Sequence, residues 1–207
     1  MCTRYWVDAS PELRPIVEEM NRSVLTARFK ERTGRVFSPG EVRPSDLAAA
    51  VARNRKGQRA VFPMRWGFSG KSLLLNARAE TAAVKPTFRE CFERRRCLLP
   101  ASWYYEWEHF ASPDGKKRIT GAKYAIQPEG ATVTWLAGLY RFEEHRGIQV
   151  PVFAALTRQP SDSVKILHDR MPLILPQDSI AEWIRPDGDP AEIAGKALRN
   201  MVMEKVG

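Results

Sequence analysis

The stretch from residue 60 to residue 156 constrains the fold more than any other part of the chain, because it holds a series of short runs rich in β-branched and aromatic residues. Proline, glycine and aspartate bound these runs, as they bound the strands of an antiparallel sheet. The runs cover residues 60–68, 73–77, 97–99, 104–107, 123–126, 133–140 and 148–156. Few helical stretches lie between them, so the pattern predicts an antiparallel or mixed sheet.

Helical periodicity is found mainly toward the two ends of the chain. Ser10 and Pro11 are typical of a helix start, and apolar residues then recur at helical spacing as far as Gly34. Residues 161–167 and 177–183 also have a helical pattern, and residues 171–175 between them predict a strand. The predicted fold class is α+β, with a strongly curved antiparallel or mixed sheet, or a barrel-like core, flanked by a few helices.

The length of 207 residues is enough for one sizeable core, since chains usually divide into domains only beyond roughly 250 residues. No linker or repeat interrupts the chain, which predicts a single domain over residues 1–207. No apolar run approaches the ~20 residues of a membrane span, and the first residues lack the apolar segment of a signal peptide. We therefore expect a cytoplasmic protein that does not bind membranes.

Positive charge exceeds negative charge by nine, with 33 lysines and arginines against 24 aspartates and glutamates. The basic residues cluster at 28–35, 53–59, 94–96 and 116–118. Such clusters suit a phosphate backbone, but solvated faces of a basic protein have the same composition. Charge alone leaves both interpretations open.

The cysteines and histidines do not have the spacing of a zinc site. Cys91 and Cys97 are separated by five residues, Cys2 is remote from both, and the three histidines are scattered. A reducing compartment would keep all three cysteines as thiols. We expect no metal, no cofactor and no structural disulfide.

Cys2 has a chemistry that depends on its position. Small residues after the initiator allow removal of Met1, which would leave Cys2 with an α-amine of pKa near 7.7–8.0 and a thiol of pKa near 8.5. The amine forms an imine with an aldehyde, and the thiol then closes a five-membered thiazolidine. Taken alone, an incidental cysteine after the start codon explains the residue equally simply, because reactivity needs a specific environment.

Asn76 and Arg78 lie where the apolar run 73–77 changes to polar residues. Residues two apart on a strand point to the same side of the sheet. The Asn76 amide is thus a candidate to hold an amine or carbonyl, and Arg78 to bind a phosphate. A purely structural capping role for both is the alternative.

Glu106 and His168 are candidates for moving protons. Glu106 stands within the aromatic run 103–107, where we expect desolvation by Trp103 and Trp107 to raise its pKa and suit it to general acid–base work. His168 follows a predicted helix and precedes a strand, and an imidazole titrates near neutral pH. A surface glutamate and a structural histidine remain the alternatives.

Eight short motifs, in order and at matching spacing along nearly the whole chain, resemble the SOS-response-associated peptidase family of abasic-site processing proteins. They are MCTR (1–4), RWGF (65–68), NARAET (76–81), RCLLP (96–100), YEW (105–107), AGLY (137–140), LT (156–157) and HDRMP (168–172). The chain departs from the family pattern at Thr3, where glycine is common, and at Ser102 and Trp103, where many members have Asp-Gly.

This resemblance implies an autocatalytic N-terminal peptidase that acts as a monomer and is associated with the nucleoid when bound to DNA. It implies that the protein binds single-stranded DNA and captures abasic sites as a thiazolidine, and it adds an abasic-site lyase to the expected activities. It implies Cys2 as the nucleophile, with Asn76 orienting its amine. It implies that Glu106 transfers protons and that His168 assists opening of the deoxyribose ring. Arg4, Arg78 and Trp66 are the implied DNA contacts.

Two other functions compete with this one. The first is non-covalent binding of single strands by stacking of bases on Trp103, Tyr104, Tyr105 and Trp107. The second is a conventional hydrolase with Cys2 as an N-terminal nucleophile, which requires an oxyanion site that the sequence does not identify.

Overall fold

The structure is a computed structural model that describes residues 3–34, 39–112, 114–145 and 147–207. Its strands, in chain order, are β1 (Tyr5–Val7), β2 (Gly40–Val42), β3 (Leu47–Arg53), β4 (Arg59–Trp66), β5 (Asn76–Arg78), β6 (Arg96–Ala101), β7 (Trp103–Ala111), β8 (Arg118–Pro128), β9 (Thr134–His145), β10 (Ile148–Arg158), β11 (Met171–Pro172), β12 (Ile174–Leu175) and β13 (Met201–Lys205).

Five of these strands close into a barrel in the order β3, β4, β10, β9, β6 and back to β3. The β4–β10 pair is parallel and the other pairs are antiparallel. The short strand β5 also pairs with β10, in parallel, beyond the end of β4. The second sheet is antiparallel, with the order β13-β8-β7-β1-β2.

Strand β3 has the sequence LAAAVAR and is almost entirely buried, although no β-rich run predicts it. Two of its alanines face large residues of β4, with Ala48 opposite Met64 and Ala50 opposite Phe62. Small residues opposite large ones fit the limited interior of a small barrel. Alanine is depleted in strands because it packs poorly on an open sheet, so only the barrel makes this segment a strand.

The helices are short and cover the sheets. They are α1 (Arg14–Asn21), α2 (Val24–Thr33), α3 (Ala79–Ala82), α4 (Arg89–Arg94), α5 (Asp162–Lys165), α6 (Ile180–Trp183) and α7 (Pro190–Gly195). A 3₁₀ turn at Gln177–Ser179 precedes α6. No helix formed by the described residues is long and apolar enough to cross a membrane.

The predicted continuous helix up to Gly34 is wrong in one respect, because it is divided at Ser23. The Ser23 Oγ accepts a hydrogen bond from the Leu25 N–H at 3.2 Å and so begins α2 as a new helix. Gly34 ends α2 in the left-handed conformation, with φ of 68°. The predicted α+β class with a barrel-like core is confirmed.

Candidate functional site

The start of β1 lies beside Glu106 on β7. Tyr5 is opposite Tyr104, and the Tyr105 N–H donates to the Arg4 carbonyl at 3.0 Å. Continuing this register toward the N-terminus brings residue 3 alongside Glu106. Cys2, the candidate nucleophile, is the next residue and lies outside the described residues.

Glu106 is buried, but not by the aromatic neighbours that the sequence suggests. Successive side chains of a strand point to opposite faces. Trp103, Tyr105 and Trp107 lie on one face of β7, where the ring centroids of successive members are 6.4 Å apart. Glu106 points to the other face, with Tyr104. The expectation that Trp103 and Trp107 desolvate Glu106 is therefore wrong, and the interior between the sheets buries it instead.

Asn76 and Arg78 are the two ends of β5, which pairs with the last residues of β10. Asn76 is opposite Ala155 and Arg78 is opposite Thr157. Asn76 is half-buried, Ala77 between them is buried and Arg78 is exposed. An amide and a guanidinium thus occur two residues apart on one strand, as predicted.

Trp66 joins β5 to β1. Its indole Nε1 donates to the Leu75 carbonyl at 3.0 Å, and its ring centroid lies 5.4 Å from that of Tyr5. Leu75 precedes Asn76 and Tyr5 follows Arg4, so these contacts hold the amide strand near the start of β1. Asn76 and Glu106 are brought to this region from the two different sheets.

His168 and Arg170 lie at the same end of β10. Met171 pairs with Arg158, and the Arg170 guanidinium donates to the Thr157 carbonyl at 2.7 Å. Thr157 is also the residue opposite Arg78. The structure therefore brings the segment of His168 to the strand end that carries Asn76 and Arg78.

The Nδ1 of His168 has two neighbours with opposite requirements. It lies 3.0 Å from the Arg170 N–H, which only donates, and 2.7 Å from Asp169 Oδ1, which only accepts. One nitrogen does not serve both, and Asp169 is 81% exposed whereas the backbone N–H is fixed. We assign Nδ1 as the acceptor, so that the proton of the neutral ring is on Nε2.

Arg4 is held by a carboxylate. Its guanidinium lies 3.1 Å from Glu41, which also accepts from Arg43 at 2.6 Å and from Lys123 at 3.2 Å. Burial alone would raise the pKa of Glu41, but the hydrogen bonds from Arg43 and Lys123 and the nearby charges of Lys123 and Arg4 outweigh it and lower the pKa. Three cations share one carboxylate, which leaves the cluster with net positive charge.

Two groups of sequence predictions need correction on the basis of burial. Trp66 has no exposed surface and packs against Phe153 as well as Tyr5, so it is a core residue and not a DNA contact. Tyr104 and Tyr105 are buried too, which removes both from the proposed stacking surface. Packing of β4 inside the molecule buries Trp66. Tyr104 faces the interior with Glu106, whereas Tyr105 lies on the other face of β7 and is covered by Trp103, Trp107 and Lys123.

Glu80 and Arg170 lie within the family motifs, but their pairing was not predicted from the sequence. Arg170 donates to both carboxylate oxygens of Glu80 at 2.8 Å. Arg170 is 6% exposed and Glu80 is 45% exposed. Ninety residues separate the two in sequence, so only the pairing of β5 and β11 with β10 reveals the contact. This bidentate pair ties the two segments of the site together.

We expect Glu80→Gln to lower stability at pH 7 by about 2 kcal/mol, between the value for exposed pairs and that for buried ones. The Arg170 hydrogen bonds lower the pKa of Glu80 from its ordinary value of 4.5. A carboxyl with a lowered folded-state pKa stabilises above the unfolded pKa and loses this contribution as pH falls through the folded pKa. The difference between variant and wild type should therefore vanish in acid, as measured by urea unfolding from pH 7 to acid conditions.

The matched control is Glu90→Gln. Glu90 is 64% exposed and its partner Arg95 is also well exposed, at 2.9 Å. Its loss should cost about 0–1 kcal/mol. If the two substitutions lowered the free energy of unfolding equally at pH 7, the larger contribution assigned to the Glu80–Arg170 pair would be wrong.

The closed barrel and the second antiparallel sheet define the structural class. Solved structures share this fold. A Bacteroides thetaiotaomicron protein is 22% identical with a TM-score of 0.72, covering 100% of this chain and 92% of that chain. A phage-related protein of Bordetella bronchiseptica is also 22% identical with a TM-score of 0.72, covering 99% of this chain and 94% of that chain.

The family follows from the sequence. The profile of the SOS response associated peptidase (SRAP) family matches residues 1–206, and the chain belongs to this family. The resemblance inferred from the eight motifs is confirmed. Among the described residues, no three histidine, cysteine or acidic side chains are grouped so that they could hold a metal ion.

Several curated relatives carry the name abasic site processing protein. YoaM of Bacillus subtilis is 36% identical over 154 residues, which is 70% of this chain and 65% of the relative. YedK of Escherichia coli is 28% identical over 138 residues, 65% of this chain and 57% of the relative. HMCES of Gallus gallus is 24% identical over 215 residues, 83% of this chain and 64% of the relative. The matches thus span less than two thirds of the length of these relatives.

Proposed function

We propose that this chain is an abasic site processing protein, which binds single-stranded DNA and captures abasic sites covalently through Cys2 after removal of Met1. One observation supports the proposal: in a member of this family, Glu106 lies on β7 beside the start of β1, while Asn76 and the segment of His168 lie together at the end of β10. The residue that follows Met1 is a cysteine. The reaction needs one chain only, which agrees with a monomer, and its DNA substrate agrees with a cytoplasmic protein.

The chemistry balances with water as the only further reactant, consumed in the first step and released in the second. Hydrolysis of the Met1–Cys2 peptide bond frees methionine and the Cys2 α-amine. The amine adds to the aldehyde carbon of the ring-opened abasic sugar and releases one water, which gives an imine. The Cys2 thiol then adds to the imine carbon, and its proton passes to nitrogen, so the final thiazolidine differs from the two reactants by one water.

Each polar residue has a role in this sequence. The Asn76 amide orients the Cys2 amine, and buried Glu106 moves protons during Met1 removal and imine formation. His168, with its proton on Nε2, donates to the sugar oxygen as the deoxyribose ring opens. An imine that persists before ring closure would permit β-elimination, which is the origin of the proposed lyase activity.

Intact-mass spectrometry tests the proposal. The purified protein should lack Met1, and incubation with an abasic single strand should give a species at the sum of the two masses less one water. Recovery of unmodified protein after long incubation would overturn the covalent mechanism. Binding of the same strand without any adduct would favour the non-covalent alternative.

We expect Arg78→Ala to weaken binding to every single-stranded sequence alike. If Arg78 neutralises one phosphate, its loss makes the slope of log affinity against log salt concentration shallower by about 0.7, the value per phosphate contact in single strands. Arg78 is exposed, and Glu80, its nearest candidate partner in sequence, is bound by Arg170 instead. The melting temperature should therefore change little. Fluorescence anisotropy at several salt concentrations measures the slope.

Arg22→Ala is the control for this prediction, because it removes an equal exposed charge from the end of α1. It should leave the salt slope unchanged. An unchanged slope for Arg78→Ala together with a lower melting temperature would instead assign Arg78 to an internal ion pair.

A further inference from the structure

Two of the basic clusters in the sequence meet at one cavity. The cavity has a volume of about 930 Å³ and lies where the β3–β4 hairpin approaches α4 and the β9–β10 hairpin. Arg53, Arg55 and Lys56 come from the first cluster and Arg94 from the second, some forty residues later in the chain. We call this space the Arg53 cavity and define it by Arg53, Phe62, Arg94, Tyr140, Phe142 and Pro151.

Flat apolar side chains form one wall of the Arg53 cavity. Phe62, Tyr140 and Phe142 contribute rings, and Pro151 lies on β10 directly opposite Phe142. Phe142 is 60% exposed, although it stands within a barrel strand. Its ring meets that of Tyr140 edge to face at a centroid distance of 6.1 Å. The wall is therefore an aromatic surface open to solvent.

The cations around this wall have no acidic partner among the described residues. Arg53, Arg55, Lys56 and Arg94 form no salt bridge with any carboxylate in the part of the chain that the structure describes. Arg53 donates to the Gly57 carbonyl, and its buried Nε has no hydrogen-bond partner among the same residues.

No acidic side chain of the described residues lines the cavity. Asp187 follows Pro186, which does line it, but this carboxylate is bound by Arg185 at 2.7 Å. The hydrogen bond from Arg185 lowers the pKa of Asp187 to about 2, and the more distant charge of Arg53 adds to this effect. The Arg53 cavity thus carries a surplus of positive charge next to an aromatic wall.

Arg96, the third arginine of the second cluster, has a different task. It is buried and its guanidinium donates to backbone carbonyls, including those of Trp183 at 2.7 Å and Phe92 at 2.9 Å. These bonds fix the ends of α4 and α6 and so give the cavity a rigid floor. Arg94, in contrast, is exposed and can bind a ligand in the cavity.

The Arg53 cavity and the candidate site lie along the same strand. Ala155 of β10 is opposite Asn76, and Pro151 of β10 lines the cavity. Pro151 and Ala155 are four positions apart on the strand, or about 13 Å at ~3.3 Å per residue. A single strand of DNA bound at the site is long enough to reach the cavity.

We propose that the Arg53 cavity binds a base and its phosphate from the DNA strand whose abasic residue lies at Asn76 and Glu106, an inference that rests on the proposed function. Aromatic rings give stacking to any base, and unpaired arginines beside them bind the phosphate. An acidic peptide would use the charge but leave the aromatic wall unfilled, so a nucleotide matches the surface better. The cavity is a second contact that holds undamaged sequence next to the lesion.

The test compares lesion-free, fluorescein-labelled thymidine strands of about 2 and about 16 nucleotides, the longer strand being at the upper end of the site sizes of single-strand binding folds. We expect Phe142→Ala to weaken binding of the long strand roughly ten-fold, as for loss of one stacked base. Arg94→Ala should make its salt slope shallower by about 0.7. Neither substitution should alter the weaker binding of the short strand, because this strand does not span the candidate site and the Arg53 cavity.

Two control variants remove the same chemistry elsewhere. Phe110→Ala removes a ring that is 53% exposed on β7, and Arg22→Ala removes a charge at the end of α1. Both should bind the long strand as wild type does. The proposal is wrong if Phe142→Ala and Arg94→Ala also bind the long strand as wild type does. It is also wrong if these substitutions weaken binding of the long and the short strand equally. Displacement of the long strand by oligoglutamate as readily as by unlabelled thymidine strand would also overturn it.

Adduct formation separates this proposal from the function on which it rests. At limiting abasic strand, Phe142→Ala should form the adduct more slowly than wild type, and this deficit should shrink as the strand concentration rises, because the cavity holds the strand but does not touch the reacting atoms. Strands extended on only the 5′ or only the 3′ side of the lesion should show the effect of Phe142→Ala on one side only. No adduct with wild type would refute the function, whereas equal effects on both sides would refute the cavity alone.

Discussion

Replacing Cys2 with alanine should abolish the heat-stable adduct with abasic DNA. The α-amine of the substituted residue still forms an imine, but no thiol is present to close the ring, and the imine hydrolyses on heating. Loss of a covalent nucleophile costs many orders of magnitude in other enzymes, so we expect the yield after heating to fall at least about 10²-fold. Denaturing electrophoresis before and after heating measures it. A heat-stable adduct in undiminished yield would refute thiazolidine capture.

Two further variants sharpen this result. Cys2→Ser should be intermediate, because its hydroxyl closes a less stable ring. Cys91→Ala should react as wild type does, since Cys91 and Cys97 are buried and burial raises the pKa of both thiols. A thiol that stays protonated inside the protein is a poor nucleophile. Loss of the adduct in Cys91→Ala, in a variant that folds normally, would mean that the wrong cysteine has been assigned.

Replacing Glu106 with glutamine should slow both Met1 removal and adduct formation by roughly the 10²–10⁴-fold typical of losing a general acid–base. Glutamine keeps the volume of the side chain but has no proton to exchange. Binding to undamaged strands should be unchanged or tighter, because one negative charge is lost near the DNA. Single-turnover adduct formation and intact mass give the two rates, and anisotropy gives the affinity.

Glu108→Gln is the matched control on the same strand. Glu108 accepts hydrogen bonds from the Tyr124 hydroxyl at 2.9 Å and the Ala122 N–H at 3.2 Å, so its replacement also disturbs a hydrogen-bonded carboxylate. Its rates should nevertheless stay within about two-fold of wild type, since it takes no part in proton transfer. Equal rates for Glu106→Gln and wild type would reduce Glu106 to a structural residue.

Strand β7 shows which structural features a sequence pattern predicts and which it does not. Its aromatic run predicts a strand and predicts apolar surroundings for Glu106. The run does form a strand, and Glu106 is buried. The run does not tell which neighbours bury the carboxylate. Alternation places Trp103 and Trp107 on the opposite face from Glu106, and the face that becomes interior depends on where the barrel packs. Trp66 is a similar case, because only the packing of β4 against β1 makes it a core residue.

The sequence by itself determined the family, the α+β class and most of the long strands, and it predicted the candidate site residues. Each of these depends on local signals, which are apolar periodicity, turn residues and short motifs. The tertiary structure alone decided that the alanine-rich β3 closes a barrel, that Arg170 binds Glu80, and that the basic clusters at 53–59 and 94–96 meet at one cavity. These features join residues about forty to ninety positions apart, and such pairings arise from the packing and register of whole strands, which no local pattern specifies.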